Sequence, residues 1–497
     1  MDNSLAYVRT EDAPYLTPPA NLVGWRGWIM ANLFSNWKNT LLTVVAGYFL
    51  YYVLSGVLGW AIFRAVWTGE NREVCAVENA GACWPFVQAK FLQWIYGFYP
   101  IDQRWRVNIC YLLLAGGLAP MLMPSVPHKM WNALFLLVAF PLICLILLTG
   151  GHFSLTVGSF VTVAAVLAAV AAFLPLSVYG IEEGIQNAKP GIILVGLGLL
   201  VWFSTFFVSY GSMATPFGIS GIGKMAATLL MFAGGALGLV SLLSSENPVA
   251  QFNLKLLAIV AGGLLAAMLL LKADFGLEYV ETSQWGGLLV TLVVAITGIV
   301  ASLPLGILLA LGRQSKMPIV KYFSVTFIEV WRGVPLITVL FMASVMLPLF
   351  LPPGTNFDKL TRALIATAIF SAAYMAEVVR GGLQAIPRGQ FEAAQALGLP
   401  YWNMMNLIVL PQALKIVIPG IVNSFISLFK DTTLVTVIGL YDLLNIIATG
   451  SADAKWASPQ TGNTGYFTAA LLFWVFCFSM SRYSQYVERR LNTGHKR

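Results

Sequence analysis

Long apolar stretches alternate with short polar ones from about residue 41 almost to the end of the chain. The apolar blocks fall near residues 41–64, 108–124, 131–150, 155–178, 191–210, 225–244, 254–271, 286–311, 323–351, 362–383, 405–429 and 464–483. A helix rises about 1.5 Å per residue and the hydrocarbon core of a bilayer is about 30 Å thick, so about 20 mostly apolar residues make one crossing. The pattern predicts an all-α polytopic membrane protein of about 12 transmembrane helices. Residues 432–449 form a candidate further, half-buried element.

Composition agrees with that pattern. Of the 497 residues 58% are hydrophobic and 10% charged, against roughly 25% charged in a soluble domain, which excludes a water-soluble globule. The net charge of +8 is carried by basic residues that sit between apolar blocks, where they oppose translocation and meet anionic lipid rather than form a nucleic-acid face. Over the last five blocks, one set of connections holds eleven basic residues: Arg313, Lys316, Lys321, Arg380, Arg388, Lys415, Arg482, Arg489, Arg490, Lys496 and Arg497. The opposite set holds four, Lys359, Arg362, Lys430 and Lys455. The excess puts the loop at 384–404 and the C-terminus in the cytoplasm. Counting back through twelve spans places residues 1–40 inside too.

The same count puts residues 65–107 outside. This loop carries Cys75 and Cys83, whose spacing admits a disulfide in an oxidising compartment or two free thiols. Residues 1–40 lack a basic start, a short apolar run and a cleavage site, so the first span is expected to stay as a signal anchor. The five cysteines include no Cys-x-x-Cys and the three histidines lie far apart; no metal site or cofactor is expected in this chain. A composition break at residues 272–284 separates an N-terminal membrane region, 41–275, from a C-terminal core, 284–492. Within the first region, residues 151–271 are rich in Ala, Val, Gly and Leu, which reads as lipid-facing helices packed through small residues.

The most informative segment is the loop Gly389 to Trp402. Glu392 to Leu397 favours a helix, Gly398 suits the left-handed position that ends one, and Pro400 suits the first turn of another. Two short helices joined at an elbow are predicted. The small side chains of Ala393 and Ala394 would let the backbone seat in a partner's groove, with Phe391 and Leu397 as apolar anchors. A second motif, Gly218 to Met225, has the spacing of a phosphate loop, but Met225 stands where Ser or Thr would ligate magnesium and no strand is expected before it, so no nucleotide site is assigned.

Glu392, Ala393, Ala394, Gly398, Ile408, Leu410 and Pro411 together meet the pattern Glu-Ala-Ala, three residues, Gly, nine residues, Ile-x-Leu-Pro. This resembles the signature loop of type I ABC importer permeases. The segments Glu329 to Leu336, Ala376 to Gly382 and Lys430 to Leu434 resemble the polar amino-acid branch, and the wording around them is similar to the M-type subunit of general L-amino-acid and of glutamate, glutamine, aspartate and asparagine importers. The match covers about residues 284–492. Residues 35–150 resemble that subunit more loosely, and residues 151–271 are expected to depart from it. The resemblance implies a five-helix permease core whose loop at 384–404 docks on an ATPase subunit. It also implies a second homologous permease subunit, two ATP-binding cassette subunits that hold ATP and magnesium, and a periplasmic amino-acid-binding protein, with no ATPase site in this chain.

Charges inside the spans need partners or water, because each costs about 3 kcal/mol at mid-bilayer on insertion scales. Glu329 with Arg332, and Glu377 with Arg380, stand three apart, the spacing of neighbours on one helix face. Local salt bridges near membrane ends are one reading of both pairs. Asp431 follows Asn423, Ser424 and Ser427 on an otherwise apolar helix; an acid of this kind can receive an amino acid's ammonium. Asp431, Glu329, Asn423 and Arg332 are the candidate substrate-path residues, against capping, ion pairing or packing. An ion-driven secondary transporter is the first rival function, and a membrane scaffold or sensor the second; the absence of a visible internal repeat weighs against the former.

Overall fold

A computed structural model describes residues 24–123, 125–151, 153, 157–175, 189–202, 204, 219–350 and 358–491. Among the described residues, nine helices are long and apolar enough to cross a membrane. The bent pair Pro318–Gly333 and Leu336–Leu349 makes a tenth candidate. Twelve were expected over the whole chain; nine or ten are counted among the described residues. Two of the predicted blocks, 155–178 and 191–210, are represented by Val157–Phe173 and Lys189–Trp202, neither longer than 17 residues, and a helix of that length falls short of a hydrocarbon core about 30 Å thick. Both blocks run on into residues outside the described set.

The block at 323–351, expected as one continuous helix, is bent in the middle. Its two helices meet at 102°. The cause is local: Val334 is extended (φ −109°, ψ 133°) because the residue before a proline is sterically driven out of the helical region, and Pro335 then caps the second helix. The predicted element at 432–449 is present as a 3-10 helix, Thr432–Ile438, followed by a helix at Leu443–Ser451.

The chain divides into two compact units. The smaller comprises residues 1–89 and 450–468. Its described part contains α1 (Trp37–Leu58) and a polar loop that the Cys75–Cys83 disulfide closes, with a Cα separation of 5.6 Å. The Cys83 amide donates to Thr464 Oγ1 at 2.8 Å and Trp60 Nε1 donates to Gln460 Oε1 at 3.1 Å, which ties this loop to the segment at 450–468.

The larger unit, residues 90–449 and 469–497, holds most of the other described helices. Among them α2 (Val157–Phe173) and α3 (Ile219–Leu243) meet through small residues: Ala168, Ala171 and Ala172 face Gly235 and Gly238. This is the small-residue packing expected where lipid offers no hydrophobic drive for association. Residues Ile219 to Met225 form the first turns of α3, a regular helix in place of a phosphate loop; Gly218 lies outside the described residues. α4 (Pro248–Lys272) ends at the start of the composition break, and residues 273–281 run without helix.

Four further helices frame the site: α5 (Leu288–Arg313), α6 (Pro318–Gly333), α7 (Lys359–Ala385) and α8 (Leu410–Asp431). α5 runs along α7 so closely that a Cβ at Gly306 would stand 2.7 Å from the Cβ of Met375; only glycine fits there. One apolar cluster, around Leu289, Leu336, Leu340, Phe370 and Val435, fills one end of the four helices. A second, around Leu311, Ile328, Met375, Val379, Met405 and Ala413, fills the other.

Candidate functional site

The loop after α7 folds as the sequence predicts, with two differences. Arg388–Ala396 is helical, and the Leu397, Gly398 and Leu399 amides return to the carbonyls of Ala393, Gln395 and Ala394 at 3.1, 2.9 and 3.2 Å. Gly398 takes φ +70° with nothing within 4 Å of a hypothetical Cβ, so it is demanded by backbone conformation and not by crowding. Tyr401–Met404 begins the second helix. Pro400 is its N-cap (φ −64°, ψ 157°) and not its first helical residue.

The anchor assignment also changes. Phe391 packs against the second core cluster and Ala394 is 1% exposed within it. These two side chains seat the elbow on its own bundle, on the face turned to Tyr401–Met404 and the adjoining Met405–Val409 turn. Leu397 is 76% exposed and Glu392, Ala393 and Gln395 point outward. The exposed residues of the elbow therefore include Glu392, Ala393, Gln395 and Leu397, with Phe391 half-buried and Ala394 buried.

About midway along α8, one face turns polar. Asn423, Ser427 and Asp431 are spaced by four, so they stack on one side of the helix. All three line a cleft of about 330 Å³, which Ser302 of α5 and Ser371 and Tyr374 of α7 complete. Asn423 and Asp431, two of the four candidate path residues, are thus brought to one cleft. Ser302, Ser371 and Tyr374 were missed, although Ser371 and Tyr374, three apart on an apolar helix, carry the same signal as Asn423 and Ser427.

Glu329 and Arg332 do not line this cleft. Glu329 accepts from Arg313 Nη1 at 3.0 Å, across helices, and is not partnered by Arg332 three residues away. Arg332 approaches Glu377 at 4.0 Å and lies over the Tyr374 ring, 5.6 Å from its centroid, within cation–π range. Glu377 and Arg380 do form the local pair that their spacing predicts, at 2.6 Å and 2.9 Å, and Arg313 joins them at 2.8 Å. Cross-helix partners win over one of the two in-helix pairs because the ends of α5 and α6 bring Arg313 between both carboxylates.

Chemically, the cleft offers one carboxylate that can accept from an ammonium, an amide and hydroxyls that can donate or accept, and an aromatic wall, with no basic side chain among its lining residues. Residues 302–493 match the family described as binding-protein-dependent transport system inner membrane component. Over 467 residues, covering 94% of this chain and 93% of the relative, the sequence is 41% identical to the inner membrane amino-acid ABC transporter permease protein YhdY of Escherichia coli (strain K12). The chain belongs to the amino-acid ABC transporter permeases.

A second relative of this permease, the glutamate/glutamine/aspartate/asparagine transport system permease protein BztC of Rhodobacter capsulatus, is 39% identical over 504 residues, 99% of each chain. That alignment runs through residues 151–271 as well as the C-terminal core. The probable glutamine ABC transporter permease protein GlnP of Bacillus subtilis is 35% identical over 209 residues, which is 41% of this permease and 92% of GlnP. ABC importer permeases work with ATPase and binding-protein partners, and the ATPase activity lies in separate subunits.

Proposed function

We propose that this permease forms the translocation path of an ATP-driven importer of polar L-amino acids. Supporting the reading is the α8 face of Asn423, Ser427 and Asp431 inside a polar cleft, together with the amino-acid cargo in the names of the two long relatives. Asp431 receives the α-ammonium, and Asn423, the serines and Tyr374 Oη hydrogen-bond the rest of the cargo. Glu329 and Arg332 act behind the cleft wall, not in it.

The assembly pairs this subunit with a second homologous permease, two ATP-binding cassette subunits carrying ATP and magnesium, and a periplasmic amino-acid-binding protein. The N- and C-termini and the loop at 384–404 face the cytoplasm. ATP closes the ATPase dimer, the elbow around Glu392 and Gly398 carries that motion to α7 and α8, and the cleft changes from inward to outward access, an equilibrium that nucleotide and the loaded receptor both bias.

The test is uptake into vesicles bearing the assembled transporter, with a panel of labelled amino acids. Uptake of polar amino acids that needs internal ATP and the receptor, and that persists under a protonophore, is the expected result. Collapse under protonophore with ATP held constant would replace this reading with an ion-driven carrier.

A further inference from the structure

We propose that Glu377 is the positioning residue that closes the inward end of the cleft, a step that rests on the orientation given under Proposed function. Phe370, Ser371 and Tyr374 of α7 line the cleft. Glu377 lies three residues past Tyr374, on the same helix face and one turn nearer the loop at 384–404. Glu377 thus stands between the cleft-lining part of α7 and that loop.

That carboxylate gathers charges from three helices. Its Oε1 takes Arg313 Nη1 from the end of α5 at 2.8 Å, and its Oε2 takes Arg380 Nη2 from α7 at 2.6 Å and faces Arg332 Nη1 of α6 at 4.0 Å. Its side chain is only 16% exposed, so loss of the charge leaves three guanidiniums crowded in a half-buried place with Glu329 alone to offset them, and they repel. Arg332 is also the group lying over the Tyr374 ring. One carboxylate therefore holds the ends of α5 and α6 to α7 and, through Arg332, holds the cleft's aromatic wall. Packing alone does not explain the arrangement: an apolar residue at 377 would join helices without recruiting guanidiniums from both neighbouring helices.

The test reads access, not cargo. In the assembled transporter with Cys110, Cys144 and Cys477 replaced by serine, Ser371→Cys supplies a single reporter thiol in the cleft. A membrane-impermeant maleimide is applied on the side of the loop at 384–404 while an unhydrolysed ATP analogue holds the ATPase closed. Glu377→Gln should raise the labelling rate at least tenfold over the reporter background, and Glu377→Asp should restore most of the protection. An unchanged rate in Glu377→Gln, or a rise seen only from the opposite face, would overturn the proposal. Should Glu377→Gln fail to assemble, Arg332→Gln decides in the same way: faster labelling supports the hub and an unchanged rate removes it. Because no amino acid enters this measurement, a wrong cargo assignment would leave its outcome untouched.

Discussion

Replacing Gly398 with valine is expected to lower ATP-driven uptake at least tenfold while leaving the amount of permease in the membrane close to normal. Gly398 sits at φ +70°, which costs an ordinary L-residue about 1–2 kcal/mol and a β-branched one more. The site has open space around it, so nothing relieves the strain except a change in the angle between the two short helices. That angle sets where Leu397 and Glu392 stand relative to α7 and α8, and a motion received at a misplaced elbow is delivered to the wrong place. Asparagine tolerates the left-handed region several-fold better than most residues, so Gly398→Asn should keep most of the uptake. Uptake and stimulated ATPase rates are the measurements; wild-type values in Gly398→Val would show that the elbow's angle does not matter.

The second large effect is expected at Asp431. A hydrogen bond to a charged group contributes about 1.5–3 kcal/mol, and every 1.4 kcal/mol is about tenfold in affinity. Asp431→Asn, which keeps shape and removes charge, should raise the KM for cargo by about tenfold to a hundredfold, with a smaller change in maximal rate. Asp431→Glu retains the charge and should recover part of the loss. Initial-rate uptake across a range of cargo concentrations checks both. An unchanged KM in Asp431→Asn would return Asp431 to a packing or capping role at the end of α8 and leave the polar face of that helix without its charged contact.

Features that depend on local chain chemistry were legible in the sequence. The left-handed turn at Gly398 follows from a helix-forming run that stops at glycine, and the polar face of α8 follows from the four-residue spacing of Asn423, Ser427 and Asp431. The bend at Pro335 was equally legible, since a proline disfavours helix at the residue before it; the apolar length of the block hid it. Features that depend on which helix lies beside which were not legible. Phe391 and Ala394 look like exposed anchors until the face turned to Tyr401–Val409 is known. The i, i+3 spacing of Glu329 and Arg332 permits a pair, and only the placement of Arg313 at the end of α5 shows why each turns to another helix instead. Disulfide formation belongs to the same class: eight residues separate Cys75 from Cys83, and only the folded loop brings their Cα atoms within bridging distance.

The account rests on the elbow as the contact through which a separate ATPase drives this permease, and a crosslink tests that contact most directly. Leu397, 76% exposed, can be replaced by a photoreactive amino acid in the assembled transporter. Illumination should join this chain to an ATP-binding cassette subunit, with a yield that changes when ATP is bound, and a cysteine at the same position should react with an impermeant maleimide only from the cytoplasmic side. A crosslink to no ATPase subunit, or labelling from the exterior, would contradict the account at its centre.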